Sequence, residues 1–328
     1  MKATALLLLT TAALHAELPT VGTIVSHDPS FDKLVAPGTK IEVLGSGFNW
    51  SEGPVWEAAA NRLLFSDVPE NTIFQWTAKD GIGVYMTPSG FTGPAGYGRE
   101  PGSNGLAFDK DARLLTCEHG DRRVSVLTKG GGKRTLADNY QGRRFNSPND
   151  LVVHKSGAIF FTDPPYGLPK GTNDPTRELD FCGVFRLDPD GTVSVIDKTL
   201  DRPNGIALSP DHQTLYVAQS HGPAPHVVAW PLQADLTPGK RRVVFDASTL
   251  AREFPGAPDG LKVDTHGNIW TTGPGGVLVI TPEGKLLGHI RTGQRTANCA
   301  WGNDGSVFYM TADAYLLRIQ TLTKGSGW

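Results

Sequence analysis

The sequence is poor in cysteine, with only Cys117, Cys182 and Cys299 among its 328 residues. Their number is odd and no Cys-x-x-Cys pair is present, so neither a disulfide framework nor a cysteine-built zinc site is indicated. We expect all three to be small buried side chains. An exported protein would permit one disulfide, and the sequence does not choose the pair.

Long apolar segments and an excess of charge of one sign are also missing. Beyond the N-terminus no stretch approaches the roughly 20 apolar residues of a membrane-spanning helix. The formal net charge is only −2. Neither a nucleic acid nor a membrane is therefore an expected partner. We expect a monomer or a weak dimer.

The N-terminus has the pattern of an export signal. Met1-Lys2 supplies a positive start, the run from Ala3 to Leu14 is apolar and uncharged, and Leu14-His15-Ala16 resembles a cleavage site. These features predict a secretory signal peptide over residues 1–16 and a periplasmic or secreted mature protein that begins at Glu17. A cytosolic protein with an apolar N-terminus is the alternative.

An internal repeat organises the rest of the chain. Six units each consist of a short apolar strand, a polar turn and a second β-rich strand, as in Pro148–Val153 followed by Ile159–Asp163. Further strand-like runs lie between the units, which begin 39 to 55 residues apart. This spacing predicts an all-β fold, a six-bladed β-propeller with four-stranded blades and a central channel, over residues 47–328. Residues 17–46 are expected to form an N-terminal lead-in segment.

One polar residue heads each of the six units. These residues are Glu52, Asn104, Asn149, Asn204, Asp259 and Asn298. The innermost strand of every blade lines the channel, so equivalent residues should converge on the axis. A ring of carboxylate and amide oxygens suits Ca²⁺. Asn-Gly and Asp-Gly are also hairpin-turn dipeptides, but each unit has its own turn several residues later.

A second set of residues follows the ring by about 15 positions, at the end of the next antiparallel strand. Its members are Asp67, His119, Asp163, Gln219, Pro274 and Asp313. His119, the one histidine at this level, is a candidate for proton transfer beside a metal. Asp163 is either a turn cap or a ligand of substrate or metal. The Gly- and Pro-containing loop Thr87–Gly102 is either a lid or a plain insertion.

Several stretches together resemble the gluconolactonase/regucalcin (senescence marker protein) family, close to its longer bacterial members. They are Ser51-Glu52-Gly53-Pro54, Arg144-Phe145-Asn146-Ser147-Pro148-Asn149-Asp150-Leu151, Phe161-Thr162-Asp163-Pro164-Pro165-Tyr166-Gly167, Arg202-Pro203-Asn204-Gly205 and Pro258-Asp259-Gly260. The resemblance spans roughly Gly47 to Arg318. It implies a six-bladed propeller with a divalent metal, usually calcium, on its axis.

By motif position, the resemblance implies that Glu52, Asn149, Asn204 and Asp259 are the metal ligands. Zn²⁺, Mn²⁺ or Mg²⁺ remain alternatives to Ca²⁺. The expected substrate-binding residues are the remaining ring members Asn104 and Asn298 together with Asp163, Tyr166 and Gln219.

The implied reaction is calcium-dependent hydrolysis of a small ester, a sugar lactone, in which the metal polarises the carbonyl for attack by water. Asp259 ranks first as the catalytic base and His119 second. Fold alone does not fix the activity. A phosphotriesterase on the same metal and a non-catalytic, calcium-stabilised binding propeller are the alternatives.

Overall fold

The computed structural model describes residues 17–94 and 96–328. In this part the chain folds almost wholly into β-strands. Helix is confined to four 3₁₀ turns at Phe31–Lys33, Ala58–Ala60, Gly171–Asn173 and Leu250–Arg252. No helix of the described part is long and apolar enough to cross a membrane. The predicted signal peptide, residues 1–16, lies outside the described residues.

Six antiparallel sheets, or blades, follow one another along the chain. Three strands come before the first blade: β1 (Thr20–Val21), β2 (Thr23–Ser26) and β3 (Ile41–Ser46). Blade one contains β4 (Ser51–Glu57), β5 (Arg62–Asp67), β6 (Thr72–Thr77) and β7 (Gly81–Met86). Blade two contains β8 (Ser103–Phe108), β9 (Leu114–Glu118), β10 (Arg123–Leu127) and β11 (Lys133–Ala137), and a small hairpin follows it, β12 (Asn139–Tyr140) with β13 (Arg143–Arg144).

The remaining blades repeat the same order of strands. Blade three contains β14 (Leu151–Val153), β15 (Ile159–Asp163), β16 (Gly183–Leu187) and β17 (Val193–Asp197). Blade four contains β18 (Pro203–Leu208), β19 (Thr214–Gln219), β20 (His226–Pro231) and β21 (Arg242–Asp246). Blade five contains β22 (Leu261–Val263), β23 (Ile269–Gly273), β24 (Gly276–Ile280) and β25 (Leu286–Arg291); blade six contains β26 (Thr296–Gly302), β27 (Val307–Ala312) and β28 (Tyr315–Gln320).

The N-terminal strands complete the last two blades. Strand β3 pairs with β28, with Val43 opposite Leu317, and so becomes the fourth strand of blade six. Strand β2 pairs with β25 and adds a fifth strand to blade five. Chain segments far apart in sequence are thereby joined, which closes the ring of blades. The predicted six-bladed propeller with four-stranded blades is confirmed, and residues 17–46 supply these outer strands.

The hydrophobic core lies between neighbouring blades rather than inside any one of them. Successive residues of a strand point to opposite faces of its sheet. Accordingly Phe160 packs among residues of blade four, whereas Phe161 packs among residues of blade two. Trp270 of blade five packs in the same way against Phe308 of blade six. Each fully buried aromatic contributes roughly 1.5–3 kcal/mol through its burial, so the contacts between blades hold the ring together.

The three cysteines are unpaired and buried in the described structure. Cys117 packs between blades two and three, and Cys299 between blades five and six. Burial raises the pKa of the Cys299 thiol to about 12. They act as small apolar side chains, as the sequence predicts.

Candidate active site at the propeller axis

The six ring residues stand at the beginning of the six inner strands, within β4, β8, β18 and β26 and two residues ahead of β14 and β22. Five of them are 1–3% exposed, and Asp259 is half-buried. Consecutive units touch there: Gly105 N donates to Asn149 O at 2.7 Å, and Gly260 N donates to Ala297 O at 2.7 Å. The repeat therefore brings these polar groups together around one end of the channel.

Glycine follows the ring residue in four units because the next blade packs against it. A Cβ on Gly105 would lie 2.6 Å from Asn149 O, and one on Gly205 would lie 2.1 Å from Asp259 O. Real Cβ atoms do not approach a backbone oxygen so closely, so only glycine fits. The Asn-Gly and Asp-Gly pairs are thus sites of close approach between blades and not hairpin turns.

Four side-chain oxygens of the ring have no hydrogen-bond partner among the described residues. They are Asn104 Oδ1, Asn149 Oδ1, Asn204 Oδ1 and Asp259 Oδ1. Buried polar atoms are satisfied in the great majority of cases, so four adjacent exceptions need a missing partner. Amide and carboxylate oxygens are the ligands that Ca²⁺ prefers. The donor set at the axis therefore fits a hard divalent cation.

Glu52 and Asn298 are tied to each other. Asn298 Nδ2 donates to Glu52 Oε2 at 3.2 Å, and Gly53 N donates to the same oxygen at 3.0 Å. Asn298 Oδ1 accepts from Cys299 N at 2.8 Å. The amide oxygen of Asn298 is thus already engaged, unlike those of the other three asparagines, and its amide nitrogen fixes the carboxylate of Glu52.

Negative charge accumulates around this ring. Burial raises the pKa of Glu52 to about 7, and the nearby Asp150 adds to the shift. Burial, followed by repulsion from Glu52, Asp150 and Glu100, raises the pKa of Asp259 well above its ordinary value. The ammonium of Lys262 lies 3.9 Å from Asp150 Oδ2. A bound cation would relieve the repulsion among these four carboxylates.

Amide ligands are needed at such a site. Across residues 17–94 and 96–328, no three His, Cys, Asp or Glu side chains come together at metal-binding distances. A hard cation at the axis would thus depend on the asparagine oxygens as well as on Glu52 and Asp259.

His119 lies at the ring and is completely buried. Its Nε2 is 3.4 Å from Asn104 Nδ2 and 3.4 Å from Asn149 Nδ2. Burial lowers the pKa of His119 to about 4, so the imidazole is neutral at pH 7 and Nε2 is able to accept from both amides. These contacts turn the amide oxygens of Asn104 and Asn149 away from the histidine. His119 thereby orients two ring residues.

Two carboxylates of the site, Glu100 and Asp150, were not predicted from the sequence. Glu100 Oε2 lies 3.7 Å from His119 Nδ1, and burial raises the pKa of Glu100 to about 7. It belongs to the loop 87–102 between blades one and two, outside the repeated strand units, so a comparison of those units does not reveal it. Asp150 stands where Gly53, Gly105 and Gly205 stand in other units. This departure from the repeat is the feature of the sequence that could have identified Asp150.

The predicted substrate-binding residues beyond the ring divide into two groups. Asp163 accepts from Asn146 N and Ser147 N, both at 2.8 Å, and Gln219 Oε1 accepts from Asp201 N at 2.9 Å. These bonds cap the turns that lead into the inner strands, which for Asp163 is the alternative that the sequence left open. Contact of Asp163 and Gln219 with substrate stays a prediction.

Tyr166 differs from this capping pair because it lies in the loop after β15. Burial, followed by the charge of Asp259, raises the pKa of Tyr166. Contact of Tyr166 with substrate stays a prediction.

Hydroxyl groups on the second strands fix the positions of ring residues. Thr162 Oγ1 donates to Asn204 O at 2.7 Å, and Ser66 Oγ donates to Asn104 O at 2.9 Å. In each case a residue of one blade holds the main chain of the next. This repeated bond sets the distance between consecutive ring residues.

Comparison with known proteins gives the family of the chain. The family model described as SMP-30/Gluconolactonase/LRE-like region matches residues 50–314. A gluconolactonase of Zymomonas mobilis is 40% identical over 313 residues, which cover 93% of this chain and 88% of the relative. The structure of a gluconolactonase from Xanthomonas campestris superimposes with a TM-score of 0.80 and 31% identity, covering 94% of this chain and 99% of that one.

A more distant structure has the same fold. A calcium-binding regucalcin from Agrobacterium tumefaciens superimposes with a TM-score of 0.68 at 19% identity, over 87% of this chain and 94% of that one. The family model spans most of the chain, and the Zymomonas relative matches nearly its whole length. This chain belongs to the SMP-30/gluconolactonase/LRE-like family.

Proposed function

We propose that this protein hydrolyses a sugar lactone with the help of a divalent cation held by Glu52, Asn149, Asn204 and Asp259. Ca²⁺ is the first candidate for this cation. The main support for a bound cation is that side-chain oxygens of Asn149, Asn204 and Asp259 lack a hydrogen-bond partner among the described residues. The buried carboxylate of Glu52 belongs to the same ring. The lactone is supported by the 40% identity with the Zymomonas gluconolactonase. The distant regucalcin is described as calcium-binding, which favours Ca²⁺.

When bound, the cation supplies a Lewis acid for the lactone carbonyl and the oxyanion formed from it. The chain's own residues prepare the site for it. Asn298 and Gly53 hold the carboxylate of Glu52 in place. His119 orients the amides of Asn104 and Asn149. Little reorganisation is then needed on substrate binding.

Asp259 is the proposed general base. Its Oδ1 has no hydrogen-bond partner among the described residues, so it is available to accept a proton from water. In the proposed reaction a water oxygen attacks the carbonyl carbon, and Asp259 accepts the water proton. The ring C–O bond then breaks, and the leaving alkoxide takes that proton to give the hydroxy acid. Asn104, whose Oδ1 is unpaired, is placed to accept a hydrogen bond from a substrate hydroxyl.

The proposal is tested by hydrolysis of glucono-δ-lactone, followed by acid release. We expect turnover that a chelator abolishes and added Ca²⁺ restores. Asp259→Asn should lower kcat by about a hundredfold or more, with the thermal midpoint nearly unchanged. Asp80→Asn, at the exposed β6–β7 turn, is the control.

Three results would each contradict the proposal in a different way. Near-normal turnover by the Asp259→Asn variant would remove Asp259 as the base. Calcium binding without hydrolysis of any lactone in a panel would favour a binding propeller. Faster turnover of a fluorophosphate than of every lactone would favour the phosphotriesterase alternative.

A further inference from the structure

A cavity of about 320 Å³ lies beside the ring, next to Tyr166. Its walls are residues 165–171 together with Arg99 and Arg202. The lining includes three basic side chains, Arg99, Lys170 and Arg202, and no aspartate or glutamate. Arg202 is half-buried, and Arg99 and Lys170 are exposed at its edge. The cavity is therefore a positively charged recess.

None of the three cations takes part in an ion pair in the described part of the chain. The carboxylate of Glu100 interacts with Arg99 only at longer range. Arg202 donates one hydrogen bond from Nη1, to its neighbour's carbonyl, Asp201 O, at 2.8 Å. Three like charges around one recess repel each other. An anion relieves that repulsion, whereas a neutral hydroxyl does not.

The residues that line the recess are close, in sequence or in space, to residues of the candidate active site. Arg99 precedes Glu100, and Arg202 lies two residues before Asn204. Gly167 packs so tightly on His119 that a Cβ there would lie 2.4 Å from His119 Cβ. Tyr166 and Gly167 both form walls of the recess. Because Gly167 packs directly on His119, a ligand of sugar size that reaches outward from His119 would meet the recess.

We propose that the recess binds an anionic group of the substrate, so that the preferred lactone carries a carboxylate or phosphate away from its ester. This inference rests on the proposed lactone hydrolysis. The acidic ring and the basic recess are opposite in charge, so such a substrate is bound in one orientation, its ester at the axis and its anion at Arg202. The planar guanidinium group of arginine forms paired hydrogen bonds with a carboxylate or a phosphate. Arg99 and Arg202 would therefore be the specificity-determining residues.

The experiment compares three probes: the neutral glucono-δ-lactone, the carboxylate-bearing glucaro-1,4-lactone and the phosphate-bearing 6-phosphoglucono-δ-lactone. We expect wild type to have a higher kcat/KM for at least one anionic probe than for the neutral one. Arg202→Gln should lower kcat/KM for that probe at least about tenfold more than for the neutral lactone, mainly through KM, since a hydrogen bond between charged groups is lost. Lys79→Gln, at the exposed β6–β7 turn, should leave the ratio unchanged.

A binding measurement separates recognition from turnover. Calorimetry with the products, glucarate and 6-phosphogluconate, should show affinity that Arg202→Gln and Arg99→Gln weaken and Lys79→Gln does not. Two results would overturn the inference while leaving lactone hydrolysis intact. One is that Arg202→Gln lowers kcat/KM equally for the neutral and anionic probes. The other is that wild type has a higher kcat/KM for the neutral lactone than for both anionic ones. Failure of all three probes would instead count against the proposed function.

Discussion

Glu100 Oε2 lies 3.7 Å from Nδ1 of His119, whose other ring nitrogen faces the amides of Asn104 and Asn149. The loop 87–102 thus reaches the axis through one carboxylate. His119 connects that loop to two members of the ring. An acidic side chain of this loop thus becomes part of the environment of the proposed cation.

The first prediction concerns Glu100. Glu100→Gln removes one of the four carboxylates around the ring, so Ca²⁺ should bind roughly fivefold more weakly at pH 8, a loss of about 1 kcal/mol for a partly screened charge. Calcium titration by calorimetry measures this. Glu283→Gln, an exposed carboxylate in the turn between β24 and β25, is the control. Equal affinities for wild type and Glu100→Gln would show that Glu100 does not act on the cation.

A second prediction tests the close approach of blades two and three. Gly105→Ala places a Cβ 2.6 Å from Asn149 O and 2.7 Å from Asp150 Oδ1. Such overpacking should destabilise the fold by about 1–3 kcal/mol and displace Asn149, which would weaken calcium binding as well. Urea denaturation and calcium titration measure the two effects.

The matched control for this change is Gly130→Ala. The atom nearest to a Cβ added at Gly130 would be Thr128 Oγ1, at 3.9 Å. That variant should be close to wild type in stability. If the Gly105 variant were equally stable, the approach of the two blades would be looser than the structure indicates.

The propeller and the ring were predictable because both come from repetition. One polar residue ahead of one apolar strand, six times over, predicts a shared position on the axis, and Asn104, Asn149 and Asn204 lie there with equivalent unpaired oxygens. The outer strands β2 and β3 were not predictable in this way. Their partners, β25 and β28, lie more than 200 residues away, and the sequence pattern contains no information on which edges they pair with.

The parts of the site outside the repeat required the structure. Glu100 and Arg99 lie on the loop 87–102 between two blades, so their distance from the axis depends on how that loop folds. The role of His119 in orienting amides depends on which atoms its nitrogens face, and a sequence position does not encode this. Asp163 was ambiguous for the same reason: a carboxylate that caps a turn and one that binds a ligand look identical until their partners are known.

A third prediction tests the hydrogen bonds between blades. Thr162→Val removes the donor to Asn204 O, a bond of 2.7 Å, and the acceptor of Asp150 N, a bond of 3.2 Å, and so leaves two buried main-chain groups unsatisfied. We expect a loss of about 1–3 kcal/mol in the free energy of unfolding and weaker binding of calcium, because Asn204 loses its support. Thr249→Val, an exposed threonine, should change neither quantity. Full stability in the Thr162 variant would show that water or another donor replaces the hydroxyl.

The last prediction concerns pH and uses a histidine remote from the ring. His289 on β25 is fully buried and packs edge-on against Phe254, with ring centroids 5.5 Å apart. Burial, with the neighbouring charges of Arg291 and His27, lowers its pKa from 6.5 to about 4. Between these two values the unfolded chain binds more protons than the folded one. The stability contributed by neutral His289 is therefore complete above pH 6.5 and is lost as the pH falls towards 4.

Urea denaturation of wild type and His289→Gln between pH 8 and pH 4 tests this. The buried carboxylates titrate in both proteins, so only the difference between the two free energies of unfolding reports on His289. That difference should be constant above pH 7 and should change in favour of the variant as the pH falls from 6.5 to 4. His221→Gln, a partly exposed histidine, provides the surface comparison. A difference that stays constant down to pH 4 would mean that His289 takes up its proton in the folded state without penalty.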